Sequence, residues 1–180
     1  MSKRVIIVGG VAGGMSCAAR IKRLDESAEV VVFEKGGAVS FANCGMPYYV
    51  GGVIPDRASM IVQTAETLKG RYGLDIRTRH EAIHILPEEK AVEVRNLETG
   101  EILRESYDAL VLATGAAPMR PPIPGLDSEK VCALNNLDDM DKMRARAVSA
   151  KSAVVIGAGF IGLEVAENLR HLSVQVTLVE

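Results

Sequence analysis

Hydrophobic residues in this chain gather into short runs that lead into glycine or end on an acid. Arg4-Val5-Ile6-Ile7-Val8 enters Gly9-Gly10-Val11-Ala12-Gly13-Gly14. A helical spacing follows from about Gly13 to Leu24, and Val30-Val31-Val32-Phe33 then ends on Glu34. The pattern returns near the other end. Ala153-Val154-Val155-Ile156 enters Gly157-Ala158-Gly159-Phe160-Ile161-Gly162, a helical stretch continues to about Leu172, and Val174 to Val179 ends on Glu180. Each block predicts strand, loop, helix and strand. Such alternation calls for a parallel sheet with helical crossovers.

Between the two blocks, Ala65 to Tyr72 reads as a helix. Leu74 to Arg77, Ala82 to Leu86, Ala91 to Asn96 and Ile102 to Tyr107 read as strands, with turns at Pro87-Glu88-Glu89 and Glu98-Thr99-Gly100. Ala109 to Ala113 is apolar throughout, which predicts a buried parallel strand. Pro118, Pro121, Pro122 and Pro124 with Gly125 form a stiff linker and the expected domain boundary. Asp138 to Ala150 reads as a surface helix. One strand–helix–strand block cannot cover both faces of its own sheet, so a stop at Glu180 reads as a cut within a longer protein.

A glycine turn between strand and helix lets the backbone approach a pyrophosphate, and the helix N-terminus offers free N–H groups and partial positive charge. An acid ending the next strand accepts hydrogen bonds from ribose hydroxyls. Glu34 follows Gly9 by 25 residues and Glu180 follows Gly157 by 23, both suitable spacings. In each loop the alternative is a plain turn without nucleotide. Val11 stands where the first loop's fingerprint has its middle glycine, which tightens the approach. Two such loops imply two dinucleotides, FAD at Gly9, Val11, Ala12, Gly13, Gly14 and Glu34, and NAD(P)H at Gly157, Gly159, Phe160, Ile161, Gly162 and Glu180. Glu180 favours a free 2′-hydroxyl, hence NADH over NADPH.

Composition narrows the field. Of 180 residues, 48% are hydrophobic and 24% charged, ordinary for a globular protein. A net charge of −2 and 4% aromatics, with no tryptophan, offer nothing for nucleic acid or a membrane surface. Neither an export signal nor a membrane span is legible. The cysteines Cys17, Cys44 and Cys132 are odd in number and far apart, which points to a reducing, cytoplasmic setting. The histidines at 80, 84 and 171 lack ligand spacing, and no metal is expected.

Cys44 precedes a short predicted helix, where a thiolate is favoured. It has no neighbouring cysteine to form a dithiol. Cys17 reads as a small core residue on the first helix, and Cys132 has no supporting context. A lone redox cysteine cycles as a sulfenic acid, a persulfide or a mixed disulfide. The alternative is a buried structural thiol.

Ser40-Phe41-Ala42-Asn43-Cys44-Gly45, followed by Met46-Pro47-Tyr48-Tyr49, resembles the active-site segment of the coenzyme A-disulfide reductases. These belong to the single-cysteine branch of the pyridine nucleotide-disulfide oxidoreductases. The opening glycine loop, Phe33-Glu34-Lys35, Ala113-Thr114-Gly115 with the prolines after it, and Gly157 to Glu164 are similar to the same family. The resemblance implies an α/β chain: a doubly wound, Rossmann-like FAD-binding domain with a β-meander insertion, plus the first βαβ unit of an NAD(P)-binding domain. The expected division is 1–117 for the first part of the FAD-binding domain, 118–150 for linker and connecting helix, and 151–180 for the start of the NAD(P)-binding domain.

The resemblance also implies an activity: NAD(P)H-dependent reduction of coenzyme A disulfide or a related disulfide or persulfide, with Cys44 catalytic. Lys35, Thr114, Gly115 and the backbone of Ala82 join the FAD contacts; for Thr114 and Gly115 a plain turn is the alternative. Ser16, Arg20, Arg23, Ser40, Asn43 and Arg71 match coenzyme A contacts, the alternative for the arginines being a solvated basic face. The family's dimerisation domain lies beyond residue 180, and the full-length form is expected to be a homodimer. Two other functions stay open: an NADH oxidase or peroxidase cycling Cys44 through a sulfenic acid, and a non-catalytic nucleotide-binding module.

Overall fold

The computed structural model describes residues 2–180. In chain order the elements are β1 (Arg4–Val8), α1 (Ala12–Leu24), β2 (Glu29–Glu34), α2 (Met46–Gly51), α3 (Ala65–Tyr72), β3 (Asp75–Thr78), β4 (His80–Leu86), β5 (Ala91–Asn96), β6 (Ile102–Ser106) and β7 (Ala109–Leu112). Then come α4 (Leu137–Ala147), β8 (Ser152–Ile156), α5 (Phe160–His171) and β9 (Gln175–Val179). They fall into two compact units. One takes the chain up to Phe41 together with Ile61–Gly115; the other takes Ala42–Met60 together with Ala116–Glu180.

The first unit is built on a four-stranded parallel sheet in the order β3-β2-β1-β7. Side chains alternate across it. Val5, Ile7, Val30 and Val32 meet Met15, Ala18 and Leu68 from the helices on one face. Ile6, Val31 and Phe33 meet Val92 and Val94 of the antiparallel meander β4-β5-β6 on the other. The continuous apolar runs of β1 and β2 follow from this two-sided burial, which is worth about 1.5–3 kcal/mol per fully buried side chain. A charged staple fixes the meander. Glu105 accepts from Arg77 Nη1 at 2.6 Å and from Arg4 Nη2 at 2.5 Å, while Arg77 Nη2 donates to Asp75 at 2.7 Å.

β7 corrects the expectation of a buried strand. It pairs with β1 in parallel, but as the sheet's edge, and Leu112 is 58% exposed. Its other side has no strand partner among the described residues, so an apolar run that reads as doubly covered is half-open.

In the second unit, β8 and β9 pair in parallel with α5 between them. The short helix α2 packs against α4 and α5. Met46, Pro47, Val50, Met140 and Leu169 are buried there. No helix or strand lies between Leu112 and Leu137, and Pro118 to Pro124 are exposed.

Candidate functional site: two glycine loops and an exposed cysteine

The two glycine loops share one backbone geometry. Gly9 lies at φ 104° and Gly157 at φ 101°, the region open to glycine. Gly9 N donates to Phe33 O and Gly157 N to Val179 O, both at 2.8 Å. A methyl group on Gly14 would stand 1.7 Å from Gly9 O, and one on Gly162 2.0 Å from Gly157 O. Helix and loop therefore approach so closely that no side chain fits between them. Glu34 Oε2 accepts from Gly10 N and Oε1 from Gly36 N, each at 2.6 Å. Glu180 Oε2 accepts from Ala158 N at 2.5 Å. Backbone amides thus anchor each carboxylate beside its loop, with lone pairs left for ribose hydroxyls.

α3 and α4 close their own N-termini: Thr64 Oγ1 accepts from Thr67 N, and Asn136 Oδ1 from Asp139 N, with acids in each first turn. α1 and α5 have neither device among the described residues. Their first amides have no side-chain cap, an arrangement that suits an anion such as a pyrophosphate. Gly13 is exposed, and a methyl there would meet nothing closer than Ala113 Cβ at 3.7 Å. These residues fit a dinucleotide at each loop.

Around the first loop, Ala113 N donates to Val8 O at 2.8 Å, and Thr114 and Gly115 follow directly, both exposed. A methyl on Gly9 would meet Ala113 O, so this segment lies against the loop. Lys35 is paired with Glu81 at 2.7 Å. Ala82 packs on the meander-side core beside a register shift in β4.

One open groove of about 420 Å³ lies wholly within the first unit. Ser16 and Arg23 of α1, Ser40, and Arg71 of α3 line it, together with Gln63 and Tyr72. The structure thus brings together four of the six residues expected at coenzyme A. Arg20 is exposed on α1 but not among the lining, and Asn43 lies beside Cys44 in the second unit. Ser40 holds φ 48°, uncommon for a residue with a side chain. Its N donates to Gly10 O at 3.0 Å, and its O accepts from Val62 N at 2.9 Å. These bonds tie the loop to the groove. The guanidinium carbon of Arg71 sits 5.2 Å from the Tyr72 ring centroid. Gln63 and Tyr72 carried no sequence signal for this place, because only tertiary packing brings α3 and its preceding turn to α1.

Cys44 is exposed, within a 3-10 turn (Asn43–Gly45) that runs into α2. The buried structural thiol is thereby set aside for this residue. Cys17 is half-buried against the first unit's core. Cys132 is half-buried too, with Arg146 Nη1 donating to its Sγ at 2.8 Å. Among the described residues no cluster of His, Cys, Asp or Glu has the arrangement to hold a metal ion. None of their helices is long and apolar enough to cross a membrane.

Comparison with known proteins places this arrangement. A model of the family described as pyridine nucleotide-disulphide oxidoreductase matches residues 3–180. A coenzyme A disulfide reductase of Staphylococcus epidermidis is 40% identical over 178 residues, which is 98% of this chain and 40% of that protein. The chain therefore spans about two fifths of the length of such curated relatives. Among solved structures, reduced CoADR-RHD of Bacillus anthracis superposes with a TM-score of 0.96 at 45% identity, covering 99% of this chain and 32% of that one. A water-forming NADH oxidase of Lactobacillus brevis, bound to NADH, gives 0.94 at 34% identity, covering 98% and 39%.

Proposed function

This chain belongs to the pyridine nucleotide-disulphide oxidoreductase family, and from that premise we propose that the whole protein is an FAD-dependent NAD(P)H oxidoreductase acting on coenzyme A disulfide or related disulfides and persulfides through Cys44. One observation carries the reading. Of three free cysteines only Cys44 is exposed, and it stands in the segment Ser40 to Tyr49. The groove lined by Arg23, Arg71, Ser16 and Ser40 supports the substrate class, since guanidiniums and hydroxyls suit the phosphates of coenzyme A.

Gly9 to Gly14, Glu34, Lys35, Ala82, Thr114 and Gly115 would hold FAD. The loop at Gly157 to Gly162 would hold NAD(P)H, with Glu180 favouring NADH by repelling a 2′-phosphate. FAD, when bound, relays two electrons between nicotinamide and sulfur. Cys44 does the sulfur chemistry. Its thiolate attacks one sulfur of the disulfide, forms a mixed disulfide and expels the other half as a thiolate. Two electrons from NAD(P)H then cleave the mixed disulfide, releasing the second thiolate and restoring Cys44. No second protein cysteine enters this balance. The full-length enzyme is expected to work as a homodimer.

Full-length protein incubated with coenzyme A disulfide should gain the mass of one coenzyme A moiety on Cys44. Cys44→Ser should abolish both adduct and turnover. No adduct, with turnover surviving in Cys44→Ser, would sink the reading. NADH-dependent oxygen or peroxide consumption outpacing disulfide reduction would instead assign an oxidase or peroxidase cycling Cys44 through a sulfenic acid, and nucleotide binding without NADH oxidation would assign a binding module.

A further inference from the structure

We infer that Arg144 is a positioning residue for Cys44, acting through the short helix that follows the cysteine. The inference rests on Cys44 being the reacting thiol. α2 has only six residues, well under the roughly 12–15 at which an isolated helix becomes marginal in water. No side chain caps its N-terminus. Its place must therefore be set from outside.

Arg144 sets it at the other end. From α4, Nη1 donates to Tyr49 O at 2.7 Å and to Val50 O at 3.0 Å, two carbonyls at the end of α2. The guanidinium also covers the Tyr49 ring, with its carbon 5.4 Å from the centroid. A cation at a helix C-terminus complements the helix dipole. The local sequence makes room for it. Gly52 ends α2 at φ 83°, and a methyl group there would stand 2.9 Å from Arg144 Nη1. Two further contacts hold the same segment. Arg57 Nε donates to both carboxylate oxygens of Asp141 on α4, at 3.1 and 2.8 Å. Buried Asn168 of α5 packs on Gly51 so tightly that a methyl there would lie 2.4 Å from its Oδ1.

The turn that carries Cys44 is closed on its inner side, where a methyl on Gly45 would meet Met60 Cε at 3.1 Å. The rotation and axial position of α2 therefore fix where Cys44 stands. A guanidinium spans two carbonyls and a ring at once; an ammonium reaches the carbonyls without stacking as well.

The test follows iodoacetamide alkylation of each cysteine by peptide mass in the full-length flavoprotein at fixed pH, with Cys17 as internal reference. Arg144→Met should change the Cys44 rate relative to Cys17 by about fivefold or more, since small misplacements near a reacting atom have large rate effects. Arg144→Lys should restore most of the change, and amide exchange should quicken across residues 48–52 in the Met variant alone. An unchanged Cys44-to-Cys17 ratio in folded Arg144→Met, or a Lys variant no better than Met, overturns the inference. Should the Met variant fail to fold, Arg144→Gln is read by the same criteria. Alkylation needs no disulfide substrate, so the result stands even if coenzyme A disulfide proves not to be the substrate.

Discussion

Gly13 and Gly14 are neighbours with opposite constraints. A methyl on Gly14 would collide with Gly9 O and press on Ile7, so Gly14→Ala must push α1 off the sheet. We expect a loss of about 3 kcal/mol and of FAD binding together, seen in thermal melting and in the visible spectrum. Gly13→Ala makes only an ordinary contact, with Ala113 Cβ at 3.7 Å, and alanine favours a helix over glycine by about 1 kcal/mol. Its melting temperature should hold or rise while FAD affinity, measured by flavin fluorescence titration, falls, because the methyl stands where the phosphates approach. A parallel loss of stability in Gly13→Ala would show that the site is structural rather than a cradle. The glycine loops between strand and helix, with Glu34 and Glu180 held beside them, were legible in the sequence because that arrangement depends on short spacings. Arg144 and Asn168 were not, since their partners Tyr49, Val50 and Gly51 lie about a hundred residues away and no local pattern marks them.

Among elements, the staple between meander and sheet sets a pH response. Burial pushes the Glu105 carboxyl up, but hydrogen bonds from Arg77 and Arg4 outweigh it and hold the group below the usual glutamate range. A carboxylate with a depressed folded pKa gives its full stabilisation above the unfolded value, about 4.3, and loses it as pH falls through the folded one. Glu105→Gln should therefore cost about 2 kcal/mol at neutral pH and flatten the fall in melting temperature below about pH 4.3. An acid limb identical to the parent's would exclude Glu105 as its source. At this scale the strands and helices followed closely from periodicity. At β7 the apolar residues Ala109 to Leu112 look the same whether a further strand lies beside them or not, and among the described residues none does. The staple itself was illegible, because Arg4 and Glu105 are ordinary surface letters until β1 and β6 are brought together.

For the whole molecule, the linker and the division into units make a further prediction. Lys130 is exposed in a stretch without helix or strand among the described residues, and it is not followed by proline. Trypsin should nick the chain there early, before sites within the elements. The two pieces should nevertheless co-elute in native gel filtration and part only in denaturant, because α2 belongs to the first piece and its packing partners α4 and α5 to the second. Immediate separation would mean that α2 is not held by those helices. The assignment of residues 42–60 to the second unit could not be read along the chain, since the segment sits in sequence between β2 and α3 of the first.

That assignment has a consequence for the making of the protein. The cysteine's helix leaves the ribosome early, yet Arg144 and Asn168, which hold it, emerge about 100–120 residues later, or roughly 5–25 s at ordinary elongation rates. Through that interval the nascent chain carries an unsupported thiol, open to capture by whatever small disulfides the surrounding fluid contains.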